Sequence, residues 1–310
     1  MVEYRGTAYS LGSHPGVITQ EEFEDMLAHR SQEVKGLRSL VMIQCVGPWN
    51  DDGSIPFYCS RICCSVAMKN AIRVKEANPA ASVTVLYRDI RTYGFHEDLY
   101  TEARKRGVVF VRYDWENPPQ VSMGEAGLRV GVQDPVLGKD LSLKPDLLIL
   151  SEAAVPTPGS EEVATLFKVP RTLEGFFLEA HVKLRPVDFP TDGIYLCGMA
   201  HYPKFIDEAL AQAQAAVARA STILSRKTME VGGVVARVDG EKCAACLTCV
   251  RVCPYEVPVI NAKGEAEIEV ARCQGCGACA AECPAKAIEL QHYEDAQILA
   301  KCESTLEEAA

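Results

Sequence analysis

The feature that most constrains this chain is a run of cysteines that occurs twice near its C-terminal end. The motif CAACLTCVRVCP at 243–254 returns as CQGCGACAAECP at 273–284, offset by 30 residues. Each copy reads C-x-x-C-x-x-C-x-x-x-C-P, with Cys243, Cys246, Cys249 and Cys253 in the first and Cys273, Cys276, Cys279 and Cys283 in the second. Two-residue gaps wrap three thiolates around one face of a cube. Small neighbours such as Gly275, Gly277 and Ala278 let backbone N–H groups approach the sulfurs, and Pro254 and Pro284 turn the chain away.

This spacing is that of the bacterial two-cluster ferredoxin run, in which the fourth cysteine of each copy serves the other cluster. The expected ligand sets are therefore Cys243, Cys246, Cys249 and Cys283 for one [4Fe-4S] cluster, and Cys273, Cys276, Cys279 and Cys253 for the other. A pair of zinc sites is the competing reading. Zinc asks for two spaced pairs, not a triplet followed by a distant C-P. The motif implies one-electron transfer and names no donor or acceptor.

The rest of the composition narrows the setting. The 310 residues carry 32 Lys+Arg against 42 Asp+Glu, a net charge of −10, and no basic run of the kind nucleic acid requires. The longest apolar stretches, such as 146–155, fall well short of the roughly 20 residues that span a bilayer. The opening residues MVEYRGTAYS lack a secretory pattern, so a cytoplasmic location is expected. In that compartment 14 cysteines point to metal or redox chemistry before disulfides. Beyond the eight in the repeat, Cys45, Cys59, Cys63 and Cys64 form a second group. Cys197, expected in a buried strand, and Cys302, a tail thiol, are left over. Twelve grouped cysteines make three sets of four, the number that three cubane clusters need.

Residues 1–35 read as a lead-in with a helix over Gln20–His29, begun by Thr19 as N-cap with Glu22 three residues on. From 36 to 155 the pattern alternates between strand and helix. The strands are LRSLVMIQCVG, SVTVLYRD, VVFVRYD, LRVGVQD and PDLLILS, and the helices are SVAMKNAIRVKEAN and HEDLYTEARKRG. An α/β, Rossmann-like sheet covered by helices is the natural packing. Residues 156–230 are loop-rich, then run through a short apolar strand, Gly193–Cys197, past Gly198 and Pro203 into a long Ala-rich helix. The Gly232–Gly233 pair opens the last segment, 231–310, an α+β ferredoxin domain with an acidic tail.

The second cysteine group sits where a strand gives way to a helix, the place at which a dinucleotide-binding unit carries G-x-G-x-x-G. Here the phosphate cradle is replaced by thiols. Cys59, Cys63 and Cys64 fall at a helix N-terminus, where the macrodipole favours thiolate, and Cys45 reaches them from the strand end. Cys63 and Cys64 are adjacent, which implies an irregular turn. An unusual cluster, a redox dithiol and buried core cysteines all remain open on the residues alone.

ITQEEFEDML at 18–27, QCVG at 44–47, YCSRICC at 58–64 followed by Lys69, and GIYLCG at 193–198 with its Ala-rich helix join the double cysteine motif in a further likeness. Together they resemble the HdrA family, the flavin-containing A-type subunits of heterodisulfide reductases, over nearly the whole chain. The resemblance implies a thioredoxin-reductase-like flavoprotein core, of which this chain carries the second part. It also implies a third [4Fe-4S] cluster on Cys45, Cys59, Cys63 and Cys64, close to an FAD. In this reading Lys69 lies near the flavin ring, and Gly198, Met199, Ala200 and Pro203 form the closing flavin element of 156–230, the C-terminal half of an FAD-binding domain. Met199 stands where many flavoproteins of the wider class place an Asp.

No G-x-G-x-x-G occurs in the sequence, and Met1 falls just before the point where the second half of such a core begins. A separate chain is therefore expected to supply the missing N-terminal half, making a composite flavin site. The resemblance implies an electron-transfer subunit of an oxidoreductase complex, working with other subunits and with a ferredoxin, hydrogenase or formate dehydrogenase. In that family the arrangement supports flavin-based electron bifurcation. The alternatives are a flavin-free iron–sulfur wire, a docking adaptor whose clusters are staples and, last, an NAD(P)-dependent disulfide reductase. No nucleophile elbow, P-loop or metalloprotease motif is present, and no histidine is assigned a catalytic role.

Overall fold

The computed structural model describes all residues except 1, 4–5, 48–56, 125–126, 229–232 and 308–310, so Gly232 of the expected linker lies outside the described residues. The chain divides into two compact units, Met1–Ser225 and Arg226–Ala310.

The first unit opens with β1 (Val2–Glu3), β2 (Val17–Thr19), α1 (Gln20–His29) and α2 (Ser31–Gly36). Helix α1 has the expected bounds because its capping box forms. The Thr19 hydroxyl accepts from Glu22 N at 3.3 Å, and Glu22 accepts in return from Thr19 N at 2.9 Å. The alternation that follows is β3 (Ser39–Val46), α3 (Cys63–Ala77), β4 (Ser82–Tyr87), α4 (Glu97–Lys105) and β5 (Val109–Arg112). A three-stranded antiparallel meander, β6 (Gln120–Gly124), β7 (Gly127–Asp134) and β8 (Lys139–Leu143), then leads back to β9 (Leu147–Glu152) and β10 (Ala154–Val155).

Strands β2, β9, β3, β4 and β5 lie in that order in one parallel sheet, with β1 paired antiparallel to β10. The even-numbered residues of β3, Leu40 and Met42, pack with Phe23 of α1 and Ala67, Met68 and Ala71 of α3. Its odd-numbered residues, Val41 and Ile43, pack with Leu128, Val130 and Val132 of the meander. Both faces are covered, which is why these strands read as continuous apolar runs. The lead-in is thus built into the domain: β2 is an edge strand of the sheet, and Phe23 is wholly buried.

From 156 to 225 the unit carries α5 (Ser160–Phe167), unforeseen in the loop-rich stretch, and α6 (Ile206–Leu224), the expected Ala-rich helix. The strand expected at Gly193–Cys197 does not form. Its ladder contact is an isolated bridge between Asp188 and Tyr195, and Cys197 is exposed rather than buried. An extended segment becomes a strand only where a neighbour offers a run of backbone partners, and here one residue pair does so.

The second unit repeats itself. Strand β11 (Ala236–Val238) comes before α7 (Thr248–Val252) and β12 (Val259–Ile260), and 30 residues on β13 (Ala266–Glu267), α8 (Ala278–Ala281) and β14 (Ile288–Leu290) follow the same order. The strands pair crosswise, β11 with β14 and β12 with β13, so neither half closes without the other. The repeat extends to the backbone. Left-handed residues fall at Ala245, Leu247 and Glu256 and again at Gly275, Gly277 and Lys286. Helix α9 (Asp295–Glu307) ends the described chain. Among the described residues no helix is long and apolar enough to cross a membrane.

Candidate iron–sulfur sites

The eight cysteines of the repeat line two small cavities of about 20 Å3 each. One is walled by Cys243, Cys246, Cys249 and Cys283, the other by Cys253, Cys273, Cys276 and Cys279. These are the two sets expected from the spacing, including the exchange of the fourth cysteine. The mechanism is visible in the turns. Left-handed residues at 245 and 247, and at 275 and 277, fold each C-x-x-C-x-x-C run back on itself before a short helix carries the third thiol inward. Backbone amides already point at sulfur: Ala266 N donates to Cys243 Sγ at 3.3 Å and Ala287 N to Cys283 Sγ at 3.2 Å. Thr248 and neighbouring amides hold Cys246 below the usual thiol range, while burial pushes Cys279 up to about 11.

The other group is assembled by the sheet. From β3 the chain steps outward to β4 and β5, then returns across the sheet to β9 on the opposite side of β3. The strand order therefore reverses between β3 and β9, and ligands of open α/β sheets bind at the carboxyl ends of strands at such a point. Here a cavity of about 330 Å3 is lined by Cys45 at the end of β3, by Ser151 near the end of β9 and Ala153 just after it, by Arg88 after β4 and by Tyr113 after β5. Cys59, Cys63 and Cys64 line it from the loop and first turn of α3. All four cysteines meet on one cavity.

Two strained residues aim them. Cys45 has φ 62° at a register shift between β3 and β9, a bulge that turns a strand residue out of its regular alternation. Arg61 has φ 63° and donates its own N–H to Cys59 Sγ at 3.2 Å. The irregularity expected at Cys63–Cys64 lies instead at Arg61, and α3 is helical from Cys63 onward. Left-handed conformations cost non-glycine residues about 1–2 kcal/mol each and persist where surrounding structure imposes them. The surroundings here are Tyr58 and Ser60. Tyr58 Oη donates to Ala154 O at 2.9 Å, and Ala154 N donates to Ser60 Oγ at 2.9 Å, so both backbone groups of one residue grip the cysteine loop.

As free thiols these groups oppose one another. Burial, then the charges of Cys64 and Cys59, push Cys45 up to about 12. A shared hydrogen bond favours thiolate at Cys64 and thiol at Cys63. Four thiolates side by side would call for a positive partner, which iron would supply. Among the described residues no three His, Cys, Asp or Glu side chains are drawn in closely enough to hold a single metal ion. What the cysteines share is a cavity wall, and an all-thiol donor set around a cavity suits a cubane cluster.

The residues expected at a flavin fall in two places. Gly198, Met199 and Ala200 form a 3-10 turn with Gly198 at φ 67° and open space beside it, closed by Lys204 Nζ donating to Gly198 O at 2.7 Å. This turn is tied to the cysteine loop: Arg61 Nη1 donates to Pro203 O at 3.4 Å, and the Tyr58 ring packs against Tyr202 and Phe176. Sequence reasoning missed the holders of the turn. Glu179 and Gln212 bracket the His201 ring at 2.8 Å each, a contact that chain separation hides. Lys69 stands elsewhere, half-exposed and ion-paired with Glu24 of α1, and does not line the cysteine cavity.

A family model described as a 4Fe-4S dicluster domain matches residues 236–303. The A-type subunit of the H(2):CoB-CoM heterodisulfide,ferredoxin reductase of Methanothermobacter thermautotrophicus is 37% identical over 97% of this chain and 47% of its own length. The A-type subunit of the ferredoxin:CoB-CoM heterodisulfide reductase of Methanosarcina acetivorans is 34% identical over 90% of this chain and 34% of its own. The chain thus spans about half the length, or less, of the curated relatives it matches. Among solved structures, the thioredoxin reductase of T. acidophilum is 14% identical with a TM-score of 0.46, covering 73% of this chain and 64% of that one.

Proposed function

From a chain homologous to the A-type subunits of heterodisulfide reductases along 97% of its length, we propose an electron-transfer subunit of an oxidoreductase complex that carries three [4Fe-4S] clusters. The observation that carries the proposal is the meeting of Cys45, Cys59, Cys63 and Cys64 on one cavity at the strand-order reversal. Two further thiol sets in the second unit complete the count.

Clusters in these sites would supply one-electron transfer, and FAD would couple it to two-electron chemistry. The protein's own part is to bind and to tune. Thiolates hold iron, and the amides of Arg61, Ala266 and Ala287 place positive dipoles at sulfur. Apolar walls of Ile260 and Ile288 in one ferredoxin-type site, and of Val257 and Ile268 in the other, keep water back.

We place FAD in a composite site completed by a second polypeptide segment at the Gly198–Pro203 turn. Two features support this. The curated relatives are about twice as long as the portion matched here. Helix α6, which follows the turn, leaves Ile206, Leu210, Val217 and Leu224 exposed on one face, an apolar stripe that a further segment packed on it would bury. Coupling of a flavin to several clusters extends the reading to electron bifurcation, with a ferredoxin, hydrogenase or formate dehydrogenase as exchange partner. The test is to reconstitute the chain with its copurifying subunits and assay flavin content and cluster reduction by each donor. Flavin bound only in the complex, with clusters reduced during turnover, supports the reading. Absence of flavin from both samples leaves an iron–sulfur wire.

A further inference from the structure

The three thiol cavities differ in one respect that bears on electron flow. Neither cavity of the second unit has a charged side chain in its described wall other than the cysteines themselves. The Cys45 cavity has Arg88, Arg91 and Arg112 together with Asp89 and Asp114. These charges are not equivalent. Arg91 donates through Nε to Asp89 at 3.1 Å and its guanidinium also faces Cys59, but it is exposed, as are Arg112 and Asp114, so water screens all three.

Arg88 is held differently. Its guanidinium carbon lies 4.1 Å from the Phe57 ring centre and 4.1 Å from that of Trp115, so both rings fix its plane. Its Nη1 is buried and, among the described residues, has no hydrogen-bond partner. A buried guanidinium N–H left without an acceptor is costly, so a charged donor clamped in that state calls for an acceptor in the cavity it lines.

We propose that Arg88 is a positioning residue for the cluster of the Cys45 site, donating through Nη1 to cluster or thiolate sulfur and making this the most easily reduced of the chain's three clusters. The inference rests on the three-cluster reading above. Reduction adds one negative charge to a cluster, and a fixed cation with a hydrogen bond to sulfur stabilises the reduced form. Among the described residues the walls of the two ferredoxin-type sites hold no equivalent cation. Electrons shared among the three then settle first at the sheet, beside the Gly198–Pro203 turn.

The test is an anaerobic potentiometric titration of the full chain followed by electron paramagnetic resonance, on wild type, Arg88→Met and Arg88→Lys. The Cys45-site signal is identified as the one missing from Cys63→Ser. In wild type this signal should appear at a higher potential than the other two. Arg88→Met should lower its reduced-to-oxidised ratio at fixed potential about tenfold, a shift of about 59 mV for one electron, with the other two unmoved. Arg88→Lys, which keeps the charge, should recover part of the shift. A third signal unmoved in Arg88→Met overturns the proposal while leaving three clusters in place. Loss of that signal in both Arg88 variants makes the residue a structural clamp and equally overturns tuning. Absence of any third signal in wild type, with about eight irons per chain, removes the reading beneath it.

Discussion

Arg61 Nη2 donates to Glu208 Oε1 at 2.5 Å, an ion pair that joins the cysteine loop to the first turn of α6 across 147 residues of chain. Tyr93 Oη donates to the other carboxylate oxygen at 3.1 Å, and Phe205 N donates to the same oxygen at 2.9 Å. The two sequence segments that resemble cofactor elements are thereby held side by side.

Partial burial works against the Glu208 carboxylate, but the Phe205 N–H and the Arg61 guanidinium outweigh it and hold its pKa below the ordinary carboxylate value. A depressed folded pKa stabilises the protein above the unfolded value, about 4.3, and that stability is lost as pH falls through the folded one. Glu208→Gln should flatten the acid side of the stability curve, read by anaerobic thermal unfolding from pH 6 downward. Parallel curves for variant and wild type would mean that the pair contributes nothing. Arg61→Ala should cost about 1 kcal/mol, since both partners are about one-third exposed and screened.

Cys63→Ser and Cys64→Ser should each remove one cluster and spare the other two. Iron should fall from about twelve to about eight per chain, with the ferredoxin-type signals unchanged. Full iron content in both variants would place the third cluster elsewhere.

The lead-in should behave as core. Phe23→Ala empties a wholly buried site against β3 and α3 and should cost about 3–5 kcal/mol. Thr19→Ala breaks the capping box and should cost about 1 kcal/mol. Denaturant titrations give both values, and near-zero effects would detach residues 17–36 from the domain.

Gly275 and Ala245 occupy matching turns of the repeat and should respond in opposite ways. A Cβ on Gly275, at φ 64°, would stand 2.5 Å from Val234 O, a backbone atom that cannot swing aside. Gly275→Ala should therefore damage the site of Cys253, Cys273, Cys276 and Cys279, with loss of about four irons. Ala245→Gly relieves a left-handed alanine at φ 53° and should keep all clusters. Equal iron content in the two variants would contradict the geometry.

The gathering of the eight repeat cysteines at two cavities was legible because their spacing is local and duplicated, and the crosswise pairing of β11 with β14 follows from the same repeat. Helix α1 was legible down to its ends because Thr19 and Glu22 state the cap in the sequence. What stayed hidden depends on register. The left-handed Cys45 arises from a bulge against β9, more than 100 residues away, and nothing near position 45 announces it. Strands β2, β6 and β8 are short or polar and exist through their neighbours in the sheet. Gly193–Cys197 has a strand's composition but lacks a strand's partners. Lys69 was placed by resemblance, and its partner Glu24 lies on a helix whose docking no local pattern reveals.

The central claim is that Cys45, Cys59, Cys63 and Cys64 hold a third cluster beside the turn at Gly198. The direct measurement is an anaerobic iron, sulfide and flavin count on the purified chain, alone and with the subunits that copurify with it. The account expects about twelve irons and as many sulfides per chain in both samples, with FAD present only in the complex. About eight irons in both, and no flavin in either, would contradict it and leave a two-cluster domain joined to a cysteine-lined fold without a cofactor.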